Sequence, residues 1–260
     1  APVFRVPGRR WPVEIEYDPP TEVSRGRFPS IEERCARAVR RELERPDCGG
    51  ILAFLPGIAE IRRTECLLSG CSAEVLVLHS SVPLAEQKKV LSGASGSSKR
   101  VVLSSSIAET SLTVPDVRTV IDSGLSRTGR VDPRTGMNAL ETGYESVFSA
   151  DQRTGRAGRT APGRCVRLWA EHDARISETP PEILRTDLLS VVLECALWGV
   201  TAIEGLSWLD APNAGAWSAA RDLLTLMGAL DPDGHITSMG RDMTTLGAHR
   251  RIAAVALAGN

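Results

Sequence analysis

A chain of 260 residues, 42% hydrophobic and 24% charged, has the composition of a core-forming protein with room for one large domain or two ordinary ones. Its formal net charge of −1 excludes a binder that holds nucleic acid by bulk charge, so any such site must be local. No stretch approaches eighteen consecutive apolar residues, which excludes a membrane-spanning helix.

The chain opens without an initiator Met and without the apolar run of a signal peptide, and it reads as cut from something longer, with a cytoplasmic location expected. Ser30 and Glu33 form a capping-box pattern ahead of Ile31, Cys35, Ala38 and Leu43, which recur at helical spacing. GILAFL (50–55) is the apolar run of a strand buried on both faces, and Pro56-Gly57 ends it. Ile58, Ile61, Glu65 and Leu68 give the next helix. A strand at 74–78, a helix at 83–91, a Gly/Ser loop at 93–98 and a strand at 100–103 follow. After a short turn or helix from 107, strands at 117–121 and 165–169 complete the set. Such alternation predicts an α/β fold, a parallel sheet with helices on both faces and ligand sites at the carboxyl ends of its strands.

Residues 124–147 break the rhythm. Asp132-Pro-Arg-Thr-Gly136 is a turn flanked by extended runs and predicts a β-hairpin standing off the sheet. Beyond about 177 the chain turns helical and acidic: residues 1–177 carry 26 Lys and Arg against 22 Asp and Glu, whereas 178–260 carry 5 against 10. One helix is expected through 182–198, starting at Pro180-Pro181, and another from Asn213 to Met227. A turn at 231–234, a short strand at 235–237 and a helix at 239–246 then suggest a winged-helix module. The final helix presents Ile252, Val255 and Leu257 on an exposed face. The domains expected are 1–177, 178–246, and 247–260 as the truncated start of a following helical domain.

Six cysteines without a CxxC pair predict reduced thiols rather than a zinc site or disulfides. None of the four histidines has a partner at metal spacing, and no metal site is expected. The five tryptophans read as core rather than stacking platforms.

Two segments carry chemistry. In SADQRTGRAGR (149–159), a continuous helix would set Gln152, Arg156 and Arg159 on one face. Gly155 and Gly158 between them are unfavourable in a helix unless backbone or ligand must come close. Convergent guanidinium groups of this kind stabilise a phosphoryl group in transfer. In VVLSSSIAETSLTV (101–114), hydroxyl side chains at the end of a parallel strand can donate to phosphate oxygens.

Together with LAFLPGIAEI (52–61), PEILRTDL (181–188) and GALDPDGHITSMGRDM (228–243), these segments resemble the second RecA-like domain and winged helix of DEAH-box RNA helicases. Length and wording are most similar to the bacterial HrpB-type members. The resemblance implies an ATP-dependent helicase acting on single-stranded RNA, with DNA as the alternative nucleic acid. It implies Arg159 as the finger on the γ-phosphate of ATP, with Arg156 and Gln152 beside it. Thr113, Gly155 and Asp116 take nucleotide-side positions, and Ser105, Ser106, Gly57 and Arg127 take RNA-backbone positions. Contacts of that kind read no base sequence and are salt-sensitive.

The sequence contains no Gly-Lys and no Asp-Glu dipeptide, so neither a phosphate-cradling GxxxxGK[ST] loop nor the metal-holding DExH motif is present. The resemblance assigns both, and the Mg2+ ligands, to an upstream RecA-like domain of the same parent protein, so this part alone is expected to be inactive. Ser105-Ser106 replaces the family's Thr-Asn pair, and Leu91 and Pro115 replace base- and ribose-contacting residues, which implies weak selectivity among nucleotides. A non-enzymatic RNA-binding or partner-docking module with the same fold is the rival reading.

Overall fold

The computed structural model describes residues 3–4, 11–22, 26–93, 99–110, 112–132 and 134–259. Residues 94–98 of the Gly/Ser loop, Ser111 and Pro133 lie outside these. Two compact units are present, one of residues 1–127 with 142–179, the other of 128–141 with 180–260.

The first unit is built on a six-stranded, all-parallel sheet. Its strands are β1 (Val13–Tyr17), β2 (Gly50–Phe54), β3 (Glu74–Leu78), β4 (Arg100–Ser104), β5 (Val117–Asp122) and β8 (Gly163–Arg167), in the order β1-β8-β5-β2-β4-β3. Strand residues alternate between two cores. Ile51, Ala53 and Leu55 pack with Cys35, Val39 and Ile61, while Leu52 and Phe54 pack with Val90, Ala108 and Ala157. This two-sided burial is why the central strands read as unbroken apolar runs. Helices α1 (Ile31–Leu43) and α2 (Ile58–Leu67) contribute to the first core, and α3 (Leu84–Leu91) to the second. The capping box at α1 forms as expected: Ser30 Oγ accepts from Glu33 N at 3.3 Å, and Glu33 accepts from Ser30 N at 2.8 Å.

Two strand assignments change. β1 was not among the expected strands; its acidic alternation, Val-Glu-Ile-Glu-Tyr, belongs to an edge strand that pairs only with β8. β8 begins two residues before the expected 165, because Gly163 N donates to Pro12 O and draws the chain into line with β1. The hairpin is confirmed as a separate two-stranded sheet of β6 (Leu125–Val131) and β7 (Asn138–Tyr144). Asp132 closes its turn by accepting from Arg134 N at 2.9 Å, and Gly136 supplies a φ of +64°. Helix α4 (Val147–Thr154) follows.

The second unit packs α5 (Leu189–Leu197), α6 (Ala214–Leu226), α7 (Ser238–Thr245) and α8 (Arg250–Ala258) around Leu193, Trp217, Leu224, Met243 and Ala253. The helix expected through 182–198 is broken. Glu182–Leu184 forms one 3-10 turn, Arg185 leaves helical geometry, and Asp187 accepts from Leu189 N at 3.1 Å to restart the chain as α5. The expected strand at 235–237 is reduced to a single bridge, Leu230 to Ile236. The hairpin's outer part belongs to this unit: Asn138 accepts from Asp187 N at 2.8 Å and Gly136 O from Arg251 at 3.0 Å. α8 belongs here too, burying Ala253 and Ala254 in the same core while Ile252 and Val255 stay exposed. Trp169 and Trp217 are core, but Trp198, at the carboxyl end of α5, is 74% exposed. All six cysteines are free thiols, and no described helix is long and apolar enough to cross a membrane.

Candidate functional site

The arginine run folds as a short helix followed by turns. Ser146 caps α4 by accepting from Ser149 N at 3.2 Å, and the helix stops after Thr154, with Gly155 as its C-cap in right-handed helical geometry. The continuous helix expected through Arg159 is therefore corrected: Gln152 lies in α4, and Arg156 and Arg159 lie beyond it. Arg156 N donates to Arg153 O at 3.0 Å and Ala157 N to Thr154 O at 3.1 Å, which are the bonds of successive turns. Gly158 is required by a close approach. A Cβ there would stand 2.6 Å from the Trp11 carbonyl oxygen, and Trp11 N donates to Gly158 O at 3.0 Å. Gly155 meets no such neighbour; a Cβ there would find only the Asp151 and Gln152 carbonyl oxygens, at 3.4 Å.

The turns still bring the predicted side chains together. Gln152, Gly155, Arg156 and Arg159, with Asp151 and Trp11, line a cavity of about 270 Å³. Arg156 is buried and fixed, donating to the carbonyls of Leu112 (3.0 Å) and Glu109. Burial, and then the like charge of Arg159, lower its pKa. Arg159 is exposed and donates to Thr113 Oγ1 at 2.5 Å. Two planar guanidinium groups held at one cavity against their own repulsion form a wall suited to a multiply charged oxyanion. Asp116 stands outside this cavity. It occupies a turn with φ +61° ahead of β5, where its carbonyl accepts from Gly50 N at 2.9 Å.

A second group gathers at the carboxyl ends of β2, β3 and β4. Ser105 leads into a 3-10 turn (Ser106–Ala108), with Ser106 exposed. Gly57 caps α2 with an extended φ of −166° and is covered by Arg127, whose guanidinium carbon would lie 2.7 Å from a Cβ at this position. Arg127 also donates to Thr142 Oγ1 (3.3 Å) and pairs with Glu60 at 3.4 Å. His79 ends β3 nearby, its pKa lowered by burial and then by the charge of Arg127, so it is a neutral polar group at neutral pH. The ridge thus presents an exposed arginine, hydroxyls and an imidazole.

The sequence reading overlooked Arg153 within the arginine run, and with it Glu109, Asp122 and Glu145. Arg153 is 1% exposed and in contact with the carboxyl groups of all three. Its spacing offered no warning, since an arginine one residue from Gln152 was expected on a different helix face.

Known proteins resemble this chain in sequence and in fold. A "Helicase conserved C-terminal domain" family matches residues 34–161, and "Helicase associated domain (HA2), winged-helix" matches 220–247. The ATP-dependent RNA helicase HrpB of Escherichia coli (strain K12) is 38% identical over 98% of this chain. A crystal structure of Escherichia coli DEAH/RHA helicase HrpB matches 95% of this chain with a TM-score of 0.84 and 36% identity. The chain belongs to the HrpB-type DEAH-box helicase family. The ATP-dependent RNA helicase HrpA of the same organism is 36% identical over 99% of this chain. This HrpB-type chain spans 31% of the HrpB relative, 20% of the HrpA relative and 31% of the HrpB crystal structure. Its six-stranded parallel sheet with flanking helices is the RecA-like α/β fold.

Proposed function

We propose that this chain is the second RecA-like domain and winged helix of an ATP-dependent RNA helicase and that it completes an ATP site whose other half lies on a separate RecA-like domain of the same parent protein. The observation that carries the reading is the cavity at the end of α4, where Gln152, Arg156 and Arg159 converge beside Thr113. ATP with Mg2+ supplies the γ-phosphoryl group that water attacks, with ADP leaving. Arg159, exposed and held by one hydroxyl, is free in direction to turn toward that group. Arg156, fixed by two carbonyls, keeps the second positive charge in place, and Gln152 offers an amide beside both. Such donors act on the charge that develops during transfer, so their effect falls on turnover more than on binding.

The ridge of Ser105, Ser106, Gly57 and Arg127 is the surface for the single-stranded RNA backbone. Hydroxyls and a guanidinium group there match phosphate and sugar oxygens and carry no base-specific pattern. The winged-helix part of the chain, with 5 basic against 10 acidic residues over 178–260, is unsuited to a phosphate-facing role. The Mg2+ ligands belong to the other domain, so this chain alone is inactive, and it works in the cytoplasm.

The test uses the full-length natural protein, comparing wild type with Arg159→Ala. RNA-stimulated ATP hydrolysis is expected in the wild type, with turnover at least about 100-fold lower in Arg159→Ala and ATP binding retained. Absence of RNA stimulation in the wild type, or turnover indifferent to Arg159, would overturn the proposal in favour of a non-enzymatic RNA-binding or partner-docking module. Equal stimulation by single-stranded DNA would move the substrate assignment to nucleic acid in general.

A further inference from the structure

Arg153 is the most deeply buried charge of the arginine run and touches neither the cavity nor the ridge surface. Its Nη1 donates to Asp122 Oδ1 at 2.8 Å and to the carbonyl of Leu125 at 3.2 Å, and it also pairs with Glu145. Its Nε donates to Glu109 Oε2 at 3.1 Å, and its guanidinium lies 5.0 Å over the Phe54 ring. Asp122 and Glu145 are fully buried and flank the hairpin, one at the end of β5 and the other just after β7. Glu145 holds its proton up to about pH 10, because burial and then the Asp122 charge oppose its ionisation. Despite its burial Arg153 stays firmly charged, since the Asp122 carboxylate, with Glu109 beside it, outweighs the loss of water.

A buried ionic cluster of this size contributes little to stability compared with apolar packing of the same volume. Its distinctive property is connectivity. Glu109 sits three residues after Ser106 and is bonded twice to the arginine segment, by its carboxylate to Arg153 and by its carbonyl to Arg156. Leu125, whose carbonyl Arg153 holds, is two residues before Arg127. Arg153 O accepts from Arg156 N, the first bond of the turns that carry Arg156 and Arg159. A displacement of the Ser105–Ser106 turn or of the Arg127 strand therefore reaches one rigid guanidinium plane, and from it the arginine turns.

We propose that Arg153, gripped by Glu109, Asp122 and Glu145, is a positioning residue through which backbone binding at the ridge sets the stance of the Arg156–Arg159 turns. This rests on the function proposed above and deepens it. It separates the arginine run into an anchor that never meets nucleotide and two groups that do.

The test is Glu109→Gln in the full-length protein, with Arg153→Lys as the second variant. Gln keeps the size of Glu109 at a site only partly buried, so folding is preserved, while the charge holding Arg153 Nε is lost. Lys keeps the charge of Arg153 but cannot reach Glu109, Asp122 and Leu125 O at once. For Glu109→Gln the RNA-stimulated kcat is expected to fall about tenfold. Unstimulated kcat, the KM for ATP and the Kd for RNA are expected to stay within about twofold of wild type. Amide hydrogen exchange gives a readout without ATP: RNA should slow exchange at 156–160 in the wild type and leave it unchanged in Glu109→Gln. Stimulation within about twofold of wild type in folded Glu109→Gln, an equal fall in stimulated and unstimulated kcat, or an undiminished exchange response would overturn the proposal. When the wild type is stimulated by RNA and Arg159→Ala abolishes turnover, those results overturn the positioning role alone. A wild type without stimulation overturns both.

Discussion

Gly57→Ala is a test of the ridge that leaves the fold intact. The added Cβ would stand 2.7 Å from Arg127 Cζ and Nη1, about 1 Å inside the separation at which such atoms pack. The obstacle is the far end of a flexible side chain, and the backbone at Gly57 is extended, a conformation Ala adopts freely. Arg127 must therefore swing away from α2. What it surrenders inside the protein is a 3.4 Å pair with Glu60 and a 3.3 Å bond to Thr142, both partly solvated and together worth about 1 kcal/mol or less. Thermal unfolding should shift by no more than about 4 °C. If Arg127 grips an RNA phosphate from this position, its displacement removes one charge-assisted hydrogen bond, about 1.5 kcal/mol or a tenfold weaker Kd. The slope of log K against log salt should become shallower by about 0.7. The assay is fluorescence anisotropy with a labelled oligo-uridine on the full-length protein at several salt concentrations, alongside Arg127→Ala and the double variant. Equal losses in both single variants and no further loss in the double one are expected. Unchanged affinity and slope in Gly57→Ala, with a loss in Arg127→Ala, would refute the claim that Arg127 works from its place over Gly57.

In Gly158→Ala the new Cβ would lie 2.6 Å from a backbone oxygen of Trp11 and 2.8 Å from Val13 Cγ2, so the arginine turns must shift; RNA-stimulated ATP turnover should fall at least about tenfold while RNA affinity holds. In Gly240→Ala the Cβ would meet Ala229 O at 2.2 Å and Ile236 Cγ1 at 2.8 Å, a clash with backbone that should cost about 2 kcal/mol and lower the melting of the second unit by at least about 5 °C in calorimetry. Glu145 holds its proton to about pH 10 in the fold and only to about 4.5 when unfolded, so the folded state carries the extra proton between those values and stability must fall as pH rises. The fall is at most about 1.4 kcal/mol per pH unit, and Glu145→Gln should flatten it between pH 7 and 9 in urea titrations; an unchanged slope would refute the assignment.

The sheet was legible because its central strands are buried on both faces, and the same burial that makes GILAF apolar also fixes where its carboxyl end lies. β1 was not, because an edge strand with Glu14 exposed and Glu16 half-buried carries its signal in alternation alone. The helix break at Arg185–Leu188 was hidden for another reason. Arg185 leaves helical geometry after one turn, and Asp187 accepts from Leu189 N through its side chain, local features that helical periodicity does not express. At the candidate site, residue types pointed to phosphate chemistry, and Gly155 and Gly158 signalled interruption. That Gly158 alone of the two is required by a close approach, of the Trp11 backbone, became visible only with the neighbours in place. Arg153 could not be told from its fellow arginines, since its partners come from 8 to 44 residues away in the sequence.

One helical turn decides how this arginine run is used. Had α4 continued to Arg159, Arg156 would have projected from a rigid helix, and its two bonds to the carbonyls of Glu109 and Leu112 would have required those carbonyls to meet a helical face. Ending the helix at Thr154 leaves Arg153 as the last arginine anchored in the core. It then releases Arg156 to clamp the 109–112 backbone and Arg159 to reach Thr113 at the surface. The segment from Ser105 to Thr113 therefore borders the ridge at one end and the arginine cavity at the other, and it is bonded to the arginine run at Glu109, Leu112 and Thr113. Bonds at those three points are what the proposed coupling would use to pass a movement from the serine end to the threonine end. The two candidate sites are thus joined by a short covalent path and a parallel hydrogen-bonded one. On the positioning role proposed for Arg153, the same contacts that make the arginines converge carry to them the effect of RNA bound at the ridge.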